Sequence, residues 1–256
     1  MPAKPTATNI VQLDRIDSTN EEAKRLARQG GAEGTFVIAM EQTAGKGSQG
    51  RTWASPVGGV YLSTVLRAKA PHPPTTLSIL AGVAAAQTVR DSLPKSFEVS
   101  VKWPNDVLLD GKKVAGVLCE SLDDGSETNP LCVLGIGINV NLDQSQLSPF
   151  AGNPFGATSF QIVTSGKKHP IEPVAQRLVT KLTNLHELYW TEGFAPVAMI
   201  WERNCSTIGR PLRFALKEKE IEAVCVGIDR SGALVLSNER GEQSAHAVGE
   251  IKCFLP

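Results

Sequence analysis

The sequence predicts an α+β chain, a mixed sheet with flanking helices followed by a small C-terminal β-barrel. Two observations carry this reading. Residues 9–203 interleave short β-prone runs with two apolar helical stretches, one at 77–89 and one opening at Pro173. From Cys205 onward the pattern changes to short strands separated by turns. A chain of 256 residues has room for one large domain and one small one. Residues 1–204 are therefore expected to form the main domain and residues 205–256 the barrel, which is towards the small end for a self-supporting unit.

In order along the chain, residues 9–13 read as a short strand. Ser18-x-x-Glu21 fits a capping box, Ala23, Leu26 and Ala27 have helical spacing, and Gly30-Gly31 stop the helix. Residues 35–40 and 60–66 are strands, 71–74 a connection, and the alanine-rich run 77–89 a buried helix. Residue 98 opens a strand ending at Lys102. Residues 107–109 and 112–120 form a hairpin, because Asp110-Gly111 suits a type I′ turn. A two-residue turn pairs Leu109 with Lys112 and Leu108 with Lys113, and sets Asp106 opposite Ala115 on the face carrying Lys113. A carboxylate and an ammonium so placed could bracket one ligand, or form a surface ion pair worth little. Residues 131–141 read as a long strand. Its parity puts Gly135, Gly137, Asn139 and Asn141 on one face and Leu134, Ile136, Ile138 and Val140 on the other. Glycine weakens a strand interior unless something must come close, either a ligand or a packed helix. Residues 153–166 are a polar connection. Pro173 opens a helix with Val174, Leu178, Leu182, Leu185 and Leu188 on its apolar face and a structural His186, and residues 198–203 form a shorter one. Strands follow at 211–216, 221–228, 233–236 and 251–254.

Composition narrows the function classes. Net charge is zero, so no global field favours nucleic acid. The five cysteines (119, 132, 205, 225 and 253) form no Cys-x-x-Cys pair and read as reduced thiols of a cytoplasmic protein. Residues 1–13 lack the apolar region of a signal peptide, and no run is long enough to span a membrane. There is no room before residue 14 for a helix-turn-helix. Neither nucleic acid nor membrane is expected as a partner.

Residues 41–53, Glu-Gln-Thr-Ala-Gly-Lys-Gly-Ser-Gln-Gly-Arg-Thr-Trp, lie between two strands and hold almost nothing apolar to bury. Their glycines allow a close approach to a ligand and can form an anion nest. Lys46 and Arg51 suit phosphate, and Trp53 offers a face for a base. The bland alternative is a solvated surface loop. Gly45-x-Gly47-x-x-Gly50 has the spacing of the dinucleotide fingerprint, but Pro56, Gly58 and Gly59 stand where its helix would run. P-loop spacing fails, and the His-Arg-Asp and Asp-Phe-Gly motifs of a kinase are missing.

Taken together, these segments make the sequence resemble the bacterial biotin protein ligases (biotin–[acetyl-CoA-carboxylase] ligases), in a short form without the N-terminal DNA-binding domain. Asp17-Ser18-Thr19-Asn20 is similar to the family's biotin-contacting segment, and residues 41–51 to its glycine-rich loop. Lys102-Trp103-Pro104-Asn105-Asp106 matches its lysine-tryptophan-proline-asparagine-aspartate signature. Residues 113–120 look like its catalytic-lysine strand and 135–139 like its glycine-isoleucine-asparagine strand. The five segments stand in the family's order across most of residues 14–141, and a C-terminal barrel also fits. The resemblance implies the biotin/lipoate ligase catalytic fold and a two-step reaction. Biotin and ATP, with magnesium, give biotinyl-5′-AMP, and a lysine of a biotin carboxyl carrier protein then takes the biotin. It implies Ser18, Thr19, Asn20, Gln42, Gly45, Lys46, Gly47, Ser48 and Gly116 at biotin. Arg51, Trp53, Lys102, Asn105, Lys113 and Asn139 fall at the nucleotide. Lys113, Arg51 and Asp106 take catalytic roles, with Asp106 also at the metal, and the loop closes over the intermediate. A homodimer could form by pairing a sheet edge of the main domain. Two other readings stay open: a lipoate- or octanoate-transferring relative, against which residues 41–53 speak, and a non-catalytic biotin or nucleotide-binding module.

The family's loop reads glycine-arginine-glycine-arginine-x-glycine-arginine, and here the first two arginines are Lys46 and Ser48. Lysine keeps the charge without the bidentate fork, and serine has no charge. The protein is expected to lose its adenylate faster than a Ser48→Arg variant, and equal dissociation rates for the two chains would refute this.

Overall fold

The computed structural model describes residues 9–126, 128–148, 154–216 and 219–255. Residues 1–8 of the N-terminal stretch and residue 153, the start of the expected connection, lie outside the described residues.

The main sheet is mixed, as expected. Its order is β1 (Ile10–Ile16), β2 (Phe36–Gln42), β3 (Gly59–Arg67), β7 (Leu131–Asn139), β6 (Lys112–Leu122), β5 (Asp106–Leu109) and β4 (Val99–Lys102). β1 and β2 run parallel and every other pair is antiparallel. Helix α1 (Thr19–Arg28) covers one face through Ala23, packed with Val37, Val65 and Val133. The other face meets α2 (Thr75–Ser92), which is apolar nearly all round. It is buried between the sheet and two further helices, α4 (Ile171–Glu192) and α5 (Ala195–Arg203). The parity expected of β7 holds. Leu134, Ile136 and Ile138 join the α2 core, while Gly135 and Gly137 face the α1 side.

Several local expectations are corrected. Ser18 stands at the N-cap of α1, but its side chain caps nothing, and Glu21 is taken up by Lys24 and Lys46 instead of closing a capping box. α5 opens three residues before the expected start, because Pro196 is tolerated in a first turn. The connection at 153–166 holds a short helix, α3 (Phe160–Val163), capped by the Ser159 hydroxyl. β7 ends at Asn139, and Asn141 leaves the sheet to exchange two hydrogen bonds with the His169 backbone. The β5–β6 hairpin pairs Leu109 with Lys112 and Leu108 with Lys113 as read, but the register then shifts. Val114 is the extra residue, so Val107 faces Ala115 and Asp106 faces Gly116 rather than Ala115. Val114 and Ala115 both enter the core, and the site face receives Lys113 and Gly116.

After α5 the chain forms a five-stranded antiparallel sheet in the order β11 (Gln243–His246), β10 (Leu234–Ser237), β9 (Lys219–Ile228), β8 (Pro211–Leu216), β12 (Glu250–Phe254). This is the small C-terminal unit, and β11 is a strand the sequence pattern did not mark. Trp103 ties it to the main sheet. The indole is buried, its Nε1 donates to Gly232 O at 3.0 Å, and its ring lies 6.0 Å from that of Phe214. The free edge of β4 is covered at the same place, where Val101 N donates to Asn204 O at 2.8 Å. Trp103→Ala should cost about 3–5 kcal/mol in chemical denaturation. It should also speed hydrogen exchange in β8–β10 more than in β3 and β7.

Candidate active site

On the α1 side of the sheet lies a cavity of about 360 Å³, walled by the start of α1, the glycine-rich loop and strands β6 and β7. Its deep end is polar. Thr19 N donates to Gln42 Oε1 at 2.7 Å, and Gln42 Nε2 donates to Ser55 Oγ at 2.8 Å. Ser63 Oγ lies 2.6 Å from Asn20 Oδ1 and 2.7 Å from Thr19 Oγ1. Asn20 Nδ2 donates to Glu120 at 2.7 Å, and Lys24 holds the other oxygen of that carboxylate at 2.7 Å. Gly135 makes this possible, since a Cβ there would overlap the Asn20 amide.

The other end is built on a cross-strand glycine pair. Gly116 faces Gly137, and the indole of Trp53 lies over both. A Cβ on Gly137 would stand 2.5 Å from Trp53 Nε1, and one on Gly116 would stand 2.8 Å from Cζ3. Trp53 is therefore buried, at 9% exposure, in a loop whose sequence suggested nothing to bury. The floor expected for a ligand is partly the seat of this ring and of Asn20. Lys113 Nζ stands 5.2 Å from the indole centroid.

Beneath the cavity, Asp106 pairs with Lys113 through one carboxylate oxygen and with Lys102 Nζ, at 3.0 Å, through the other. Lys102 also lies 4.8 Å from the Phe155 ring. Burial would push the Asp106 carboxyl up, but the two ammonium groups outweigh it and hold it below its ordinary 3.8. At the mouth, Lys46 Nζ meets Glu21 at 2.6 Å, while Arg51 meets Glu250 of β12 at 3.1 Å and the Ser48 hydroxyl at 3.2 Å. Lys24 and Lys46 together bring Glu21 down to about 2.

The sequence model of the biotin/lipoate A/B protein ligase family matches residues 13–139. The chain is 34% identical to the biotin–[acetyl-CoA-carboxylase] ligase of Paracoccus denitrificans, over 90% of this chain and 95% of that one. It is 33% identical to the bifunctional ligase/repressor BirA of Bacillus spizizenii, over 91% of this chain and 70% of that one. The chain is a member of the biotin protein ligase family. Its fold matches the Aquifex aeolicus biotin protein ligase, solved in complex with biotin and ATP, with a TM-score of 0.76, 28% identity and coverage of 96% and 98% of the two chains.

Most residues singled out from the ligase resemblance meet in the cavity: Ser18, Thr19, Asn20, Gln42, Lys46, Gly47, Ser48, Arg51, Trp53, Asn105, Lys113 and Gly116 all line it. Four do not. Gly45 stands outside the lining, where a side chain would strike Trp53 O and Ser55 Oγ, so it serves the path of the loop. Lys102 is buried, its charge occupied by Asp106, and does not line the cavity. Asn139 lies below the lining and donates to Thr158 O at 3.0 Å. Asp106 does not fit a metal ligand, because both its oxygens are held by lysines. Among the described residues no group of three or more His, Cys, Asp or Glu could hold a metal ion.

Sequence reasoning missed Ser63, Glu120, Lys24 and Glu21. The one available signal was Ser63, a small polar residue inside an apolar strand. Asp106→Asn leaves two buried ammonium groups without a counter-charge, and should cost about 3–5 kcal/mol at neutral pH. The folded pKa of Asp106 is depressed, so its stabilisation is fully present above 3.8 and is lost as pH falls below that value. The gap between wild type and variant in urea denaturation should accordingly shrink only below that pH.

Proposed function

We propose that the protein activates biotin with ATP to biotinyl-5′-AMP and passes the biotin to a lysine of a biotin carboxyl carrier protein. The observation that carries this reading is that Lys113 reaches one cavity with Ser18, Thr19, Asn20 and Gln42 at one end and Trp53 at the other. A biotin head group lies against the four polar residues, and its carboxylate points to Lys113. A carboxylate oxygen attacks the α-phosphorus, the α–β bridging P–O bond breaks, and pyrophosphate leaves. Negative charge develops on the α-phosphate, where the fixed ammonium of Lys113 stabilises it. Asp106 holds that ammonium in place. Lys46 and Arg51 at the mouth are the further cations for phosphate, once released from Glu21 and Glu250. Trp53 supplies the surface for the base. Closure of residues 45–51 keeps water from the mixed anhydride. In the second step the carrier's neutral amine attacks the acyl carbon, the acyl C–O bond to the phosphate breaks, AMP leaves, and the amine nitrogen gives up a proton to solvent. Magnesium would come with the ATP phosphates.

Residues 1–204 carry this chemistry, and residues 205–256 back the loop through Glu250. A homodimer formed by sheet extension would use the β1 edge, since β4 is covered by the segment after α5. Among the described residues no helix is long and apolar enough to cross a membrane. With all five cysteines free, a cytoplasmic setting belongs to the same reading.

ATP–pyrophosphate exchange tests the first step. Biotin should support exchange and lipoate should not, and Lys113→Ala should lower the rate about 10²–10³-fold. Exchange with lipoate alone would move the protein to the lipoate branch, and no exchange with either would make it a binding module.

A further inference from the structure

The polar end of the cavity has more hydroxyl contacts than hydroxyl hydrogens. Ser63 Oγ touches Asn20 Oδ1 at 2.6 Å and Thr19 Oγ1 at 2.7 Å, and Thr19 Oγ1 touches Gln42 Oε1 at 3.0 Å. Serine and threonine each bring one hydrogen, so two hydrogens serve three contacts. Their direction is decided by neighbours that cannot change role. Glu120 is such a neighbour, because an ionised carboxylate only accepts. It takes Asn20 Nδ2 on one oxygen and Lys24 Nζ on the other, both at 2.7 Å.

The rest follows by counting. With Nδ2 turned to Glu120, Asn20 presents Oδ1 to Ser63, and an amide oxygen only accepts. Ser63 therefore donates to Asn20. That leaves Ser63 no hydrogen for Thr19 Oγ1, whose own hydrogen goes to Gln42 Oε1. Gln42 Oε1 also takes the Thr19 backbone N–H at 2.7 Å. The opposite direction would leave Asn20 Oδ1, in a residue 4% exposed, with no donor. The cavity is left with two complementary groups, the lone pairs of Thr19 Oγ1 and the second N–H of Asn20.

We infer that Glu120 is a positioning residue that sets the hydrogen-bond polarity of the cavity through Asn20, Ser63 and Thr19. It thereby selects a head group carrying both N–H and C=O, as a cyclic urea does, over one carrying neither. This rests on the assignment of residues 18–20 to the biotin head group.

Glu120→Gln tests it. Glutamine has one oxygen for two partners, and the charged, donor-only Lys24 takes it. The glutamine NH₂ then faces Asn20, turns the amide over and reverses the Ser63 hydroxyl. In calorimetric titration of the full chain with biotin, Kd should rise about tenfold or more. KM for biotin should follow it in the exchange assay, with KM for ATP unchanged. Adding Lys24→Met frees the glutamine oxygen for Asn20 and should recover most of the lost affinity, a rescue that a bulk or folding role for Glu120 would not give. A Glu120→Gln chain that binds biotin as wild type does, or a double variant no better than the single one, overturns the proposal. Ser63→Ala removes the central donor and gives a second reading if Glu120→Gln does not fold, and unchanged affinity there overturns it equally. A wild-type chain that does not bind biotin overturns the assignment beneath it.

Discussion

The carboxylate of Asp106 lies under the active site between two ammonium groups, and the local architecture serves to keep it there. A buried aspartate facing one lysine would leave a lone pair on its second oxygen without a donor. Facing two, it is neutralised, and the surplus positive charge falls on Lys113, the member that reaches the cavity. The desolvation of such a cluster is costly, and fixed geometry is what offsets it. The geometry comes from the hairpin. Asp106 opens β5 and Lys113 lies near the start of β6, and the bulge at Val114 keeps Lys113 on the site face while moving Ala115 into the core.

Gly116, two residues after the bulge, faces Gly137 of β7. Strand glycines are usually a weakness, but here they form a trough deep enough for an indole. Trp53 fills it and, with Gln42 bonded to Ser55, anchors both ends of the glycine-rich loop to the sheet. Between those anchors, Thr43 N and Ala44 N donate to Ile16 O and Asp17 O at the end of β1. Ion pairs at the mouth, Lys46 to helix α1 and Arg51 to the C-terminal sheet, hold the loop's cations. These pairs are half-exposed and individually weak. They occupy the loop's cations without committing them.

The uncharged Ser48 has a place in this arrangement. Its hydroxyl and its carbonyl oxygen both accept from the Arg51 guanidinium. A second cation at that position would push against Arg51, so the serine trades direct charge for orientation of the neighbouring arginine. The deep end of the cavity works differently. There Ser63, Thr19 and Asn20 are buried, and each hydroxyl's direction follows from a fixed neighbour.

The sequence by itself determined the class of fold, the order of most elements and most of the residues that line the cavity. These are local properties: the β-prone run of β3, the period-two alternation of β7, the apolar run of α2, the Asp110-Gly111 turn, and motifs such as residues 17–20 and 41–53. Tertiary structure decided the rest. A bulge does not show in alternation, so Asp106 was set opposite the wrong partner. Burial of Trp53 depends on two glycines some sixty and eighty residues further along the chain, and no window around residue 53 contains them. The second lysine on Asp106, which removes it from metal binding, ends a Val-Ser-Val-Lys strand whose alternation would point Lys102 to solvent, yet it is buried. Glu120 looked like a charged residue near the end of a strand, and only the packing of α1 on β2, β3 and β7 brings Asn20 to it. Side-chain roles of that kind arise from contacts between segments remote in sequence, and such contacts are created by the fold itself.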